Sequence, residues 1–180
     1  MTAENAARQR SIVLVGLMGT GKTTTGRLLA ERLGLTYVDT DDLILERTGR
    51  TVREIFLADG EPAFRALETG VLVEALTAPS PVVLAAAGGV VLAEANRRTL
   101  REGDALVVWL RADPALLVRR VEGQEHRPLL DEDPVGTLAQ MQRDRESLYR
   151  EVADVVIDVD DLTPLEVADR VLAAAAQEAS

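Results

Sequence analysis

Cysteine is absent from this chain of 180 residues. No disulfide can staple it and no thiolate can act as nucleophile or metal ligand, which fits a reducing compartment and makes a cytoplasmic protein the expectation. Long apolar runs are missing too. No stretch approaches the roughly 18 consecutive apolar residues of a membrane-spanning helix. Met1 to Arg10 is polar and has no apolar centre, so no secretory signal is expected. Positive charge is short: 20 Lys and Arg face 30 Asp and Glu, giving a net charge of −10. That balance argues against nucleic acid or an anionic membrane as partner. His126 is the one histidine, in a polar, turn-rich segment, and reads as exposed rather than catalytic. No internal repeat is visible.

Lysine is nearly missing as well. Nineteen arginines accompany a single lysine, Lys22. A GC-rich coding bias accounts for so much Arg, Ala and Val, yet the bias stops at Lys22. A compact ammonium on a flexible stem fits between phosphates where a broad guanidinium would not.

Lys22 lies in Gly16-Leu17-Met18-Gly19-Thr20-Gly21-Lys22-Thr23, which follows the apolar run Ile12-Val13-Leu14-Val15 and precedes a helical pattern. Strand, glycine loop and helix form the context in which G-x-x-x-x-G-K-[ST] means a phosphate-binding loop, or P-loop. Backbone N–H groups of Gly19, Thr20, Gly21, Lys22, Thr23 and Thr24 are expected around the phosphates, aided by the helix N-terminus. The Lys22 ammonium should reach the β- and γ-phosphates and the Thr23 hydroxyl should hold Mg²⁺.

What remains suits one domain spanning 1–180 with a sizeable core. Short apolar runs at Ile12–Val15, Thr36–Asp39, Val82–Ala86, Ala105–Leu110 and Val155–Val159 alternate with helical patterns. The second reads as a short buried strand like the others. The class is α/β: a three-layer sandwich around a five-stranded parallel sheet, with ligands at the carboxyl ends of the strands. Residues 40–70 hold three helices between two strands, the second capped by a Thr51/Glu54 box and a third begun at Glu61-Pro62. Residues 122–134 are turn-rich, and a helix covers Thr137 to Glu151. Pro164 opens a last helix, and the alanine-rich end from Ala173 to Ser180 is expected to fray. An insert for a second substrate plus a lid is what a small-molecule kinase needs to exclude water.

P-loop enzymes commonly place a metal-binding aspartate at the end of a later strand, but the third and fourth runs end in no acid. The second ends in Asp39 and Asp41. In an extended segment both carboxylates point one way, one toward metal through water and one to accept a proton. The alternative is that Asp39 to Asp42 merely N-cap the next helix.

Taken together, the P-loop, Asp39-Thr40-Asp41, Phe64-Arg65, Gly88-Gly89, Arg127-Pro128-Leu129-Leu130 and Arg145-Glu146-Ser147-Leu148-Tyr149-Arg150 occur in the order found in shikimate kinases. The resemblance runs from about Ile12 to Pro164. It implies a nucleoside-monophosphate-kinase-like fold with an acceptor-binding insert and a lid. It also implies ATP-dependent phosphorylation of the shikimate 3-hydroxyl in aromatic amino-acid biosynthesis, by a monomer using ATP as co-substrate and Mg²⁺. Carried over by position, Asp41 resembles the residue that binds shikimate hydroxyls and is the candidate base, and Asp39 the one that meets Mg²⁺ through water. Arg65 and Arg145 match the pair on the shikimate carboxylate, and Gly88 and Gly89 the turn beside it. Arg127 matches the catalytic lid arginine, and Arg120 with Pro164 the adenine clamp. Two positions depart from the family pattern. Ala87 replaces the first of three glycines, so the turn should keep negative φ there. Leu162 stands where some members have arginine, implying looser base recognition. By residue chemistry alone, Phe64 and Trp109 read as core. A gluconate-type kinase and a nucleotide-binding module without acceptor chemistry are the competing readings.

Overall fold

A computed structural model describes residues 9–121 and 133–178. Five strands, β1 (Ile12–Val15), β2 (Thr36–Asp39), β3 (Val82–Ala85), β4 (Leu106–Arg111) and β5 (Val155–Asp158), form one parallel sheet in the order β2-β3-β1-β4-β5. The α-helices are α1 (Lys22–Leu33), α2 (Thr40–Thr48), α3 (Val52–Leu76), α4 (Glu94–Glu102), α5 (Pro114–Val121), α6 (Pro134–Val152) and α7 (Pro164–Glu178). β1 and β3 are wholly buried tetrapeptides, IVLV and VVLA, as strands covered on both faces should be. From β1 the chain runs out to the edge at β2, returns to β3, then passes β1 to reach β4. Connections therefore leave β1 and β4 toward opposite edges. The crevice at their carboxyl ends is the switch point where such sheets bind ligands.

Three expectations need correction. β2 is not a buried strand: it pairs only with β3 and lies half-exposed at the sheet edge. Its alternation of Thr, Tyr, Val and Asp already suits a strand with one wet side. α6 starts at Pro134, not Thr137, because Asp133 accepts the Gly136 N–H at 2.9 Å and Pro134 takes the first helical position. Asp133 and Pro134, the last two residues of the expected lid, thus open a helix. The alanine-rich end does not fray through Glu178, since Val171, Leu172 and Ala175 are buried. Small side chains let α7 lie close against the core, with Asp169 paired to Arg32 of α1 at 2.5 Å.

The 40–70 region folds much as its turn signals suggest. Thr51 and Glu54 form the reciprocal cap, and α3 breaks at Gly60 (φ 82°, ψ 172°), just before Pro62. Ile44, Ile55, Phe64 and Val71 make a small core of their own there. The expected break at Asp59-Gly60 is thus present: the non-helical Gly60 divides α3 into two helical pieces, the second beginning beside Pro62.

Candidate active site

The loop after β1 needs its glycines. Gly16, Gly19 and Gly21 have φ of 140°, 81° and 91°, conformations that L side chains rarely adopt. A Cβ on Gly16 would also lie 2.4 Å from the Leu110 carbonyl oxygen, so the loop rests directly on β4. Thr20 is buried and donates to the Leu17 carbonyl at 2.8 Å, holding the turn from inside. Gly21 N-caps α1 with no side-chain acceptor, which leaves the first helical N–H groups for an anion. The Lys22 ammonium donates to the Gly16 and Leu17 carbonyls at 2.8 and 2.9 Å. Thr23 and Thr24 are exposed on the first turn.

Asp39 closes β2 at the same edge of the sheet. Its Oδ1 accepts the Asp41 N–H at 2.9 Å, so it is the N-cap of α2, and Asp41 sits in the first helical turn. The expectation of two carboxylates aligned along an extended segment is therefore wrong. Asp39 ends the strand while Asp41 already belongs to a helix, because the Asp39 cap starts α2 at Thr40. The other Asp39 oxygen, Oδ2, accepts the Tyr37 hydroxyl at 3.2 Å. Burial, with the charge of Asp39 next, pushes the Tyr37 phenol up to about 12, opposed by the nearby Thr23 hydroxyl.

Thr23 and Asp39 thus approach one phenol from two elements. They offer hard oxygen donors, and among the described residues no three His, Cys, Asp or Glu side chains cluster into a cage. That donor set fits Mg²⁺, which keeps several waters and relies on substrate phosphates rather than a dedicated protein cage.

The expected acceptor residues converge. A Cβ on Gly89 would fall 2.5 Å from Arg65 Nη1, and Arg145 Nη1 donates to the Gly88 carbonyl at 3.2 Å. Both arginines, one from α3 and one from α6, therefore meet at the turn after β3. The turn needs glycine for this close approach and not for φ, since Gly89 has φ −92°. A Cβ on Gly88 would lie 3.3 Å from the Gly16 carbonyl oxygen, so the turn also abuts the P-loop. Thr40 Oγ1 accepts the Ala87 N–H at 2.9 Å and ties the start of α2, with Asp41, to the same turn. Phe64 is core, as expected, but its ring also meets Phe56 at 4.7 Å and carries the Arg65 guanidinium at 5.1 Å.

Glu68 goes unread in the sequence, and Tyr149 enters there only within the Arg145 to Arg150 motif, with no role of its own. Glu68 is fully buried and holds Arg65 Nη1 at 2.9 Å. Burial pushes its carboxyl above the usual range, while Arg65 and, more weakly, Arg145 pull it back. The signal existed: position 68 falls within the buried stripe Phe64, Glu68, Val71, Leu72 and Ala75 of α3. Tyr149 is also buried, stacks on Trp109 at 5.4 Å and donates to the Gly88 carbonyl at 2.5 Å.

Arg120 and Pro164 lie at the far corner of the same edge. Arg120 donates to the Val159 carbonyl at 3.3 Å, just past β5, and Pro164 opens α7 behind Thr163. Arg127, His126 and the rest of the expected lid through residue 132 lie outside the described residues.

These features recur in known proteins. The family model described as shikimate kinase matches residues 18–176. A shikimate kinase of Dechloromonas aromatica is 47% identical over 151 residues, covering 83% of this chain and 81% of that protein. The solved structure of a shikimate kinase from Acinetobacter baumannii in complex with shikimate superposes with a TM-score of 0.90 at 37% identity, covering 97% and 98% of the two chains. A gluconokinase from Sinorhizobium meliloti has a TM-score of 0.60 at 21% identity over 96% of this chain and 94% of that one, a likeness of fold alone. With family motif, relatives and fold in agreement, the chain belongs to the shikimate kinase family.

Proposed function

We infer that this chain transfers the γ-phosphoryl group of ATP to the 3-hydroxyl of shikimate, forming shikimate 3-phosphate for aromatic amino-acid synthesis. The observation that carries the reading is the meeting of Arg65 and Arg145 at the Gly88–Gly89 turn, beside the P-loop. Two guanidinium forks suit a planar carboxylate, and the adjoining phosphate loop places the rest of such a ligand near the γ-phosphate. A coupled ADP-release assay with shikimate, gluconate or no acceptor tests it. Turnover with shikimate alone is expected. Equal turnover with gluconate, or none above the acceptor-free rate, would move the gluconate-type or non-catalytic reading ahead.

In this reading Gly19 to Thr24 cradle the phosphates, and Arg120 and Pro164 flank adenine. Thr23 and Asp39, the latter through water, would hold Mg²⁺, which would offset the negative charge of the nucleotide phosphates. Asp41 accepts the proton as the acceptor oxygen attacks the γ-phosphorus and the bond to the β-phosphate oxygen breaks. Arg127 meets the phosphates from a lid at about 122–134, and residues 40–70 form the acceptor insert of one domain. A cytoplasmic monomer completes the proposal, and the net charge of −10 supports the absence of nucleic-acid or anionic-membrane partners.

Gly89→Ala should weaken acceptor binding by displacing Arg65 without deleting it. Its new Cβ would fall 2.5 Å from Arg65 Nη1, the atom that also holds Glu68 at 2.9 Å. The KM for shikimate should rise while that for ATP does not, and the melting temperature should fall, though by less than when the ion pair is removed outright in Glu68→Ala. An unchanged shikimate KM would show that Arg65 need not sit against this turn.

Glu68→Ala should act through Arg65, leaving the guanidinium without its buried partner. Breaking such a pair costs roughly 3–5 kcal/mol, so a large fall in stability should accompany a raised shikimate KM. Glu68→Gln keeps an acceptor oxygen and should recover much of both. Denaturant melts and acceptor titrations compare the two. Equal damage from Ala and Gln would mean that the carboxylate charge, not its acceptor oxygen, holds Arg65.

A further inference from the structure

Tyr37 has no part in the reaction as described above, yet it links the two residues assigned to the metal. Its ring lies against α1 at Gly26, where a Cβ would come within 2.7 Å of the ring carbon Cε2. No other residue could occupy position 26 without displacing the ring. Arg27 covers the ring with its guanidinium 5.4 Å from the centroid. Held there, the phenol reaches forward to Asp39 Oδ2 at 3.2 Å, while Asp39 Oδ1 is engaged by the Asp41 N–H. One Asp39 oxygen is thus fixed by α2 and the other by a side chain braced on the helix that carries Thr23.

We propose that the Tyr37 hydroxyl is a positioning group for the metal side of the nucleotide site, holding the Asp39 carboxylate in register with Thr23. This rests on the reading of Thr23 and Asp39 as the residues that hold Mg²⁺. A carboxylate that meets a metal through water must keep its lone pairs aimed without help from a direct metal bond. At a half-exposed sheet edge the Asp41 N–H alone would fix only one of its two oxygens. The phenol supplies the second restraint. Each carboxylate oxygen accepts more than one hydrogen bond, so both retain capacity for metal-bound water. Partners of this kind orient the donors they touch, and their loss lowers metal affinity by roughly 10- to 100-fold in tighter sites.

Calorimetric titration of ADP with Mg²⁺ and with EDTA, on wild type, Tyr37→Phe, Asp39→Asn and the double variant, tests the proposal. The quantity read is the factor by which Mg²⁺ tightens ADP binding. Tyr37→Phe keeps the ring on Gly26 and removes only the hydroxyl. It should reduce that factor by up to roughly tenfold, the lower end of the range for such partners, with metal-free ADP and shikimate binding unchanged. Asp39→Asn should reduce it at least as far, and the double variant no further. A normal factor in Tyr37→Phe beside a reduced one in Asp39→Asn overturns the role of Tyr37 alone. An equal loss of metal-free and Mg²⁺-bound ADP affinity in Tyr37→Phe does so too, marking the phenol as packing. A normal factor in Asp39→Asn instead overturns the metal assignment, and the role of Tyr37 with it.

Discussion

Lys22→Ala should fold normally and lose at least a hundredfold in kcat. The ammonium rests on two carbonyls of its own P-loop, those of Gly16 and Leu17. The loop therefore presents a preplaced charge that needs only to turn toward an arriving phosphate. As the γ-phosphoryl group moves, negative charge spreads over oxygens that such fixed donors meet, and removing one donor typically costs 10²–10³ in rate. Lys22 is half-buried at the start of α1, and the Leu17 carbonyl it leaves keeps the Thr20 hydroxyl as a donor at 2.8 Å. Lys22→Arg should fail nearly as badly. A planar fork cannot reproduce a point charge seated between two loop carbonyls. Coupled ADP release on variants with wild-type melting curves measures both. Near-wild-type turnover in folded Lys22→Ala would remove the P-loop from the mechanism.

The parts of this molecule legible in the sequence are those built from neighbours along the chain. The P-loop, the Thr51/Glu54 cap and the break at Gly60 all depend on residues within a few positions of one another. The apolar runs revealed the sheet, but not that β2 is an edge strand, which depends on what β3 pairs with. For Asp39 to Asp42 the sequence leaves two arrangements open, and the structure takes the helix cap, with α2 starting at Thr40 directly after the strand ends. Glu68 was missed because glutamate on a helix ordinarily faces water, and only its place in an apolar stripe argued otherwise. The Tyr149 hydroxyl on Gly88 and the Thr40 hydroxyl on Ala87 join positions 61 and 47 residues apart. No local pattern encodes either. The alanine-rich tail misled because small residues resemble fraying until a partner helix is known to lie beside them.

Arg65→Ala and Asp41→Asn should fail in different ways, and the difference tests the acceptor site most directly. Arg65 is held by Glu68 on one side and Glu61 on the other, at 2.9 and 3.0 Å, with its Nη atoms against Gly89. It is thus placed before any ligand arrives. A shikimate carboxylate at that turn would take the guanidinium in place of water or Glu61. Truncating one partner of a desolvated charged pair costs roughly 2–5 kcal/mol. At about 1.4 kcal/mol per decade, the shikimate KM should rise tenfold or far more while the ATP KM holds. Part of the stability should go too, because Glu68 would be left buried without its cation. The control is Arg145→Ala, which should raise the same KM without stranding that carboxylate. Asp41 differs in kind: it is exposed on the first turn of α2, beside the Thr40 tether, so its replacement by Asn should scarcely affect folding. Asn keeps the shape and an acceptor oxygen but takes no proton, so kcat should fall much further than binding. If both variants turn over shikimate normally, the acceptor assignment fails. If Asp41→Asn raises KM without lowering kcat, Asp41 binds hydroxyls and the proton leaves by another route.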